Sequence, residues 1–325
     1  MNGFERLNVL VLAGGISHER DVSLRSGRRV ADGLHAHGHR VTLREPDADL
    51  LGFLKSNRPD VVWPALHGAS GENGALRALL EAAGVPYVGA EPQPARVAWL
   101  KPIAKTVVAR AGVVTPQSVT LPRETFRELG ANTVLATLRE FLGAPLVVKP
   151  SQGGSAQGVT IVADPAELPR AMVTAYTYAD VALLEKKVEG TEIAITVLDL
   201  GDGPQALPAV EIAPNQGVYS FEARYNAGET HFFTPARLTG EVAARAAQAA
   251  VSAHEALGLR HISRVDLIVD ADGTPWFLEA NVLPGLTETS LVPLAIQAAG
   301  FDLGAVYVGL AEQAIRDFDA ALLRN

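Results

Sequence analysis

Four residues near the end of the chain carry a chemistry that a core strand does not need. In RVDLIV, Arg264 and Asp266 fall on one face of an extended segment while Val265 and Leu267 take the other; in WFLEAN, Glu279 and Asn281 again share a face. The intervening Asp-Ala-Asp-Gly turn folds the two runs into a hairpin and brings Asp266 roughly opposite Glu279. Two carboxylates and an amide oxygen then converge, and like charges that close are costly unless a cation lies between them. An all-oxygen set suits Mg²⁺ completed by substrate phosphates. A solvated sheet end is the weaker alternative, because it leaves the shared register of four polar residues unexplained.

Two further stretches could meet anions. In VVKPSQGGSAQGV, Lys149 ends a strand and a loop from Ser151 to Gly158 follows, with three glycines and two serines. Successive backbone N–H groups in such a loop can cradle phosphate, with the lysine as a point charge. The lysine precedes the glycines and a strand follows them, so this is not the strand–loop–helix phosphate motif. A mobile hairpin turn remains equally open from these residues alone. GGISHERDVSLRSG follows the first strand, where ligands of open α/β sheets collect. Glu19 there could bind an ammonium group, or could be an exposed acid beside an N-capping Ser23 or Ser26. HGASGENG, residues 67–74, repeats that logic as a glycine turn and cap.

These stretches must be positioned by elements readable from pattern. The first third alternates apolar runs (NVLVLAGG, HRVTLRE, DVVWPAL, VPYVGA) with helix-period segments, which predicts βαβ units and a parallel sheet. From about Leu100, a helix KPIAKTVVARAGV, strands VVTPQSVTL, APLVVKP, VTIVAD and VALLEKKV, and a helix PAELPRAMVTAYTYA make a small α+β unit. Then come strands EIAITVLDL and PQALPAVEIA, a polar stretch from Pro214 to Phe233, a helix GEVAARAAQAAVSAHEALG, the hairpin and closing helices. The expected organisation is α/β and α+β in three units, 1–98, 99–187 and 188–325.

Composition narrows the classes. The 325 residues are 48% hydrophobic and 20% charged, an ordinary globular balance with ample core. A net charge of −8 argues against general nucleic-acid binding, and zero cysteines remove disulfides and thiolate chemistry. No run approaches the roughly 18 apolar residues of a membrane span, so a cytoplasmic protein without membrane partners is expected.

Taken in order, GGISHERDVSLRSG, ALHGASGENG, VPYVGA, VVKPSQGGSAQGV, LLEKKVEGTEI, RVD and LEANVLPGLTETSLVP resemble the successive blocks of the D-alanine–D-alanine ligases, a family of the ATP-grasp superfamily. The resemblance spans nearly the whole chain and implies an ATP-grasp architecture. It implies an ADP-forming ligation of two D-alanines through an acyl phosphate, supplying peptidoglycan precursor. By resemblance, Lys101, Lys149 and Arg224 meet ATP phosphates. The loop with Ser151, Gly153, Gly154 and Ser155 closes over them, and Glu185, Lys186, Val188 and Glu192 hold adenosine. Asp266, Glu279 and Asn281 would bind two Mg²⁺, with Mn²⁺ as a substitute. Glu19 takes the first ammonium group, with Val22, Ser23 and His67 beside it; Ser155 and Tyr225 complete a network that shuts the polar loop. Arg264 and the Gly285 N–H line an oxyanion site, and Ser290 and Leu291 receive the second amino acid. The resemblance also implies a homodimer acting on small-molecule amino acids, and Tyr225 goes with an amine acceptor. The chain departs from the family pattern at Asn73, Leu100, Ala156, Arg224 and Val282-Leu283. The alternatives are a paralogous ligase joining D-serine, D-lactate or other small acids, and a nucleotide-binding regulator without catalysis.

Overall fold

The structure is a computed structural model that describes residues 6–215 and 228–324. Its first sheet is parallel, in the order β2-β1-β3: β1 (Asn8–Leu12), β2 (Arg40–Arg44) and β3 (Val61–Pro64). Helices α1 (Arg20–Ala36), α2 (Leu50–Asn57), α3 (Ala69–Glu72) and α4 (Ala75–Ala82) accompany it, while α5 (Pro92–Trp99) and α6 (Lys101–Arg110) pack through Ala95, Ala98, Ala104 and Val108 into the core of the C-terminal sheet. The interior apolar runs of β1 and β3 are buried on both faces, as parallel strands under helices require. Gly27 lets α1 lie on the sheet, since a Cβ there would stand 2.3 Å from that of Ala13. The VPYVGA segment forms no strand: Val62 N–H donates to the Pro86 carbonyl and Val88 N–H to that of Val62, one isolated bridge. Pro86 has no N–H with which to extend the ladder.

The second sheet is antiparallel in the order β4-β7-β5-β6, from β4 (Ser118–Pro122), β5 (Leu146–Pro150), β6 (Thr160–Val162) and β7 (Val181–Lys186). Two helices that the sequence pattern did not suggest, α7 (Arg123–Leu129) and α8 (Ala131–Leu142), precede β5, and α9 (Leu168–Tyr178) covers a core of Leu146, Val148, Met172, Ala175 and Leu184. The third sheet, also antiparallel, runs β11-β10-β8-β12-β13 with β9 beside β8: β8 (Thr191–Leu198), β9 (Gln205–Ala206), β10 (Val210–Pro214), β11 (Thr230–Phe233), β12 (Ile262–Val269) and β13 (Pro275–Asn281). Pro208 divides the expected strand PQALPAVEIA into β9 and β10. Helix α10 (Gly240–Ala256) packs on this sheet through Ala246, Ala250 and Ala253.

The chain ends by returning to its beginning. Helices α11 (Leu291–Ala298) and α12 (Leu303–Leu322) share one core with β1, β3 and α1, in which Trp63 and Tyr307 meet edge to face at 5.2 Å. No single helix among the described residues is long and apolar enough to cross a membrane.

The β12–β13 hairpin contains an irregularity that matters for its side chains. Arg264 pairs with Asn281 and Asp266 with Glu279, but Leu267 then pairs with Phe277, so Leu278 is an extra residue. Strict alternation would put Phe277, Glu279 and Asn281 on one face. The bulge lets Phe277 enter the core, where it is fully buried, while Glu279 turns the other way. Phe277→Ala should therefore lower unfolding free energy by about 3–5 kcal/mol in urea titration, whereas trimming exposed Leu129 should change it by under about 0.5 kcal/mol. Equal losses at the two sites would contradict this packing.

Candidate active site

Between the second and third sheets lies a cleft of about 970 Å³. Lys149 enters it from β5, Glu185 from β7, Val188 from the crossing between sheets, Glu192 from β8, and Asp266 and Glu279 from the hairpin; Gly153 and Gly154 form part of its wall. Lys101, at the start of α6, joins both sides: its Nζ lies 2.6 Å from Glu279 Oε2 and donates to the Gly153 carbonyl at 2.6 Å. The cleft has the size of a small-molecule or nucleotide site.

Its deepest charges form a triad. Glu185 is 2% exposed and accepts from Lys105 Nζ at 2.8 Å and from Lys149 Nζ. Burial works against its ionisation, but the two ammonium groups outweigh burial and hold the carboxyl below its ordinary range. Lys105 was absent from the sequence expectations. Its signal was the i, i+4 spacing from Lys101, which places both lysines on one face of α6. Lys186 and Ser151 do not line the cleft. Lys186 alternates to the face opposite Glu185 and is exposed, and Ser151 is tied into the backbone by bonds from its N–H to Val181 and from Lys101 N–H to its carbonyl.

The expected hairpin constellation is assembled. Asp266 receives two hydrogen bonds from the Arg264 guanidinium, at 2.7 and 2.8 Å, and Asn281 Nδ2 lies 3.3 Å from Asp266 Oδ2. Asp266 and Glu279 are cross-strand partners on the cleft wall. Two carboxylates and an amide fit a hard divalent cation by donor chemistry. Among the described residues no group of three or more His, Cys, Asp or Glu side chains joins there, so phosphate oxygens would have to complete the shell of such an ion.

A second pocket adjoins the first through the loop. Glu19, Val22, His67, Ser155, Arg264, Gly285, Ser290 and Leu291, all expected around the amino acids, line it together. Ser155 Oγ donates to Glu19 Oε1 across 136 residues of sequence, and Ser155 and Ala156 hold left-handed φ values of 52° and 55°. His67 donates from Nδ1 to the Leu283 carbonyl and accepts at Nε2 from Ser26, whose Oγ in turn accepts from Leu286 N–H. Burial lowers the pKa of that imidazole and so favours its neutral form. Ser23 is turned into the core, where its hydroxyl accepts from Gly14 N–H and donates to the Ala65 carbonyl. Arg224 and Tyr225 lie outside the described residues.

Glu72 was not singled out by sequence, yet it lines the pocket and is buried, with Oε1 accepting from Gly68 N–H at 2.8 Å. Burial, with Glu19 adding to it, pushes its carboxyl up to about 8.

The pattern of this chain has counterparts. The family model described as D-ala D-ala ligase C-terminus matches residues 107–311, and that described as D-ala D-ala ligase N-terminus matches residues 49–90. A D-alanine--D-alanine ligase from Anaeromyxobacter sp. strain Fw109-5 is 41% identical over 97% of each chain. The D-alanine--D-Alanine Ligase of Bacillus anthracis superposes with a TM-score of 0.83 at 29% identity, covering 97% of this chain and 99% of that one. Its complex with ATP gives 0.80 at 27% identity and the same coverage. The VanG D-Ala:D-Ser ligase of Enterococcus faecalis gives 0.80 at 25% identity, covering 97% of this chain and 100% of that one.

The raised Glu72 pKa sets a pH dependence. The protonated form is favoured in the fold, so its stabilisation is fully present below the ordinary value of 4.5 and is lost as pH rises through about 8. Glu72→Gln should match wild type in urea midpoint near pH 4.5 and exceed it increasingly toward pH 9. A difference independent of pH would mean that Glu72 ionises freely.

Proposed function

The chain belongs to the D-alanine–D-alanine ligase family, and we propose that it joins two D-alanine molecules at the expense of ATP, with the roles of its residues as follows. The observation that carries the assignment of roles is the adjoining of two pockets at one hairpin: a nucleotide-sized cleft and an amino-acid pocket meet at Arg264, Asp266, Glu279 and Asn281. The product supplies peptidoglycan synthesis.

In the first step the carboxylate of one D-alanine attacks the γ-phosphorus of ATP, giving D-alanyl phosphate and ADP. This transfer depends on positioning and charge neutralisation. Lys101 and Lys149 provide cations at the cleft wall, and Glu185, Val188 and Glu192 line its nucleoside end. Mg²⁺, when held by Asp266, Glu279 and Asn281, neutralises phosphate charge. Glu19 takes the ammonium group of this first D-alanine. In the second step the neutral amine of the other D-alanine attacks the acyl carbon, and collapse of the tetrahedral intermediate expels phosphate. Arg264, held rigid by Asp266, and the Gly285 N–H are the donors for its oxyanion. Ser290 and Leu291 bound the acceptor end. The Ser155–Glu19 bond closes the glycine loop over the acyl phosphate and keeps water from it. We extend the same proposal to a cytoplasmic homodimer that uses no nucleic-acid or membrane partner.

Purified protein offered ATP, Mg²⁺ and D-alanine near pH 8 should release D-alanyl-D-alanine, identified by mass, with little depsipeptide when D-lactate competes. Preferential use of D-lactate or D-serine would replace the acceptor. Glu279→Gln should nearly abolish turnover at unchanged fold, and Arg264→Met should lower it by about 10²–10³ with ATP binding retained. An Arg264→Met effect confined to nucleotide affinity would remove that residue from the oxyanion site.

A further inference from the structure

Val22, Arg25, Ser26 and Arg29 recur on α1 at spacings of three and four, which places them on one helix face. That face lies over the loop that leads into α11. Ser26 Oγ accepts from Leu286 N–H at 3.1 Å, and Arg29 Nη1 stands 3.9 Å from Glu288 Oε1. Arg25, one residue before Ser26 and one turn before Arg29, lines the amino-acid pocket together with Thr289 and Ser290. It is exposed at the pocket's edge and has no ion pair or hydrogen bond among the described residues.

The charges around that pocket make Arg25 conspicuous. Two acids, Glu19 and Glu72, line it, and both disfavour an incoming carboxylate when ionised. The other guanidinium that lines it among the described residues, Arg264, is committed to Asp266 by two hydrogen bonds. Burial favours the neutral form of His67. Each D-alanine carries one carboxylate. That of the first reacts with ATP and must face the nucleotide cleft, where Lys101 and Glu279 stand; Arg25 does not line that cleft. The carboxylate of the second takes no part in the chemistry and must be held away from the reacting centre. We propose that Arg25 binds the carboxylate of the second D-alanine and thereby selects acceptors that bear an anionic group. The proposal rests on the ligase function above, and it adds a charge-bearing residue from the first segment of the chain to an acceptor site otherwise built from the last.

The test compares wild type, Arg25→Met and Arg25→Lys with ATP, Mg²⁺, D-alanine and D-alaninamide together. D-alaninamide lacks the anionic carboxylate and can serve only as acceptor, so the two dipeptide products differ in mass. Formation of D-alanyl-D-alanine by wild type tests the ligase function on its own. Arg25→Met should raise the acceptor KM about tenfold, the scale of one lost hydrogen bond to a charged group, with kcat and the ATP KM little changed. The preference for D-alanine over D-alaninamide should fall by a similar factor, and Arg25→Lys should retain part of it. Equal loss with both acceptors would make Arg25 merely structural. An unchanged acceptor KM, or a shift confined to ATP or to the first D-alanine, would overturn the proposal.

Discussion

A single extra residue in one strand governs the site. Leu278 interrupts the pairing of β12 with β13, and it does so between a residue that the core needs and one that the cleft needs. Phe277 lies opposite Leu267 within the core of the third sheet, and two residues later Glu279 lies opposite Asp266 on the cleft wall. In an unbroken ladder these two β13 residues would share a face, and a one-residue change of register sends every later side chain to the other side. The bulge reconciles a packed hairpin with a polar end. The rest of the site depends on that reconciliation, because Lys101 reaches Glu279, Arg264 grips Asp266, and Asn281 closes the group.

Charge pairing organises what the hairpin begins. Lys105, Glu185 and Lys149 form a buried triad; Lys101 pairs with Glu279 and Arg264 with Asp266. Desolvation offsets much of the attraction in such pairs, so stability alone is a poor account of their presence. Their placement at one cleft gives a better account. Glu185 holds Lys149 in a fixed position on the wall, and Asp266 does the same for Arg264. Preorganised cations cost little reorganisation when phosphate or an oxyanion develops charge nearby.

Much of this was legible in the sequence where the period was local. Alternating apolar runs gave the parallel sheet, and the turn Asp270–Gly273 with strand alternation gave the Asp266–Glu279 pairing. The alternation argument reached the right pairing while missing the bulge, because no residue type in WFLEAN announces an unpaired Leu278. Helices α7 and α8 went unread between two strand patterns, and VPYVGA looked like a strand although a proline stops its ladder after one bridge. At the site, Glu72 and Lys105 were missed for a different reason. Glu72 takes its chemistry from burial and from Glu19, distant in sequence; the i, i+4 spacing puts Lys105 on the face of Lys101, but its partner Glu185 lies on another element that this spacing does not reveal. The Ser23 hydroxyl is bonded to backbone groups of Gly14 and Ala65, and the Lys186 side chain alternates away from the Glu185 face.

The glycine loop shows why such long-range partners matter. Ser155 and Ala156 occupy the left-handed region without being glycine, which costs on the order of 1–2 kcal/mol per residue. Glycine at both positions would relieve that cost, yet glycine at 155 would remove the hydroxyl that reaches Glu19. The loop therefore holds its position through a contact with the first segment of the chain, not through its own backbone preference. A loop held in that way ties its position to Glu19, so under the proposed role of that residue as the site of the first amino acid's ammonium group, loop closure and substrate seating would be coupled. In the proposed mechanism, sheltering the acyl phosphate and seating the donor would then depend on one carboxylate.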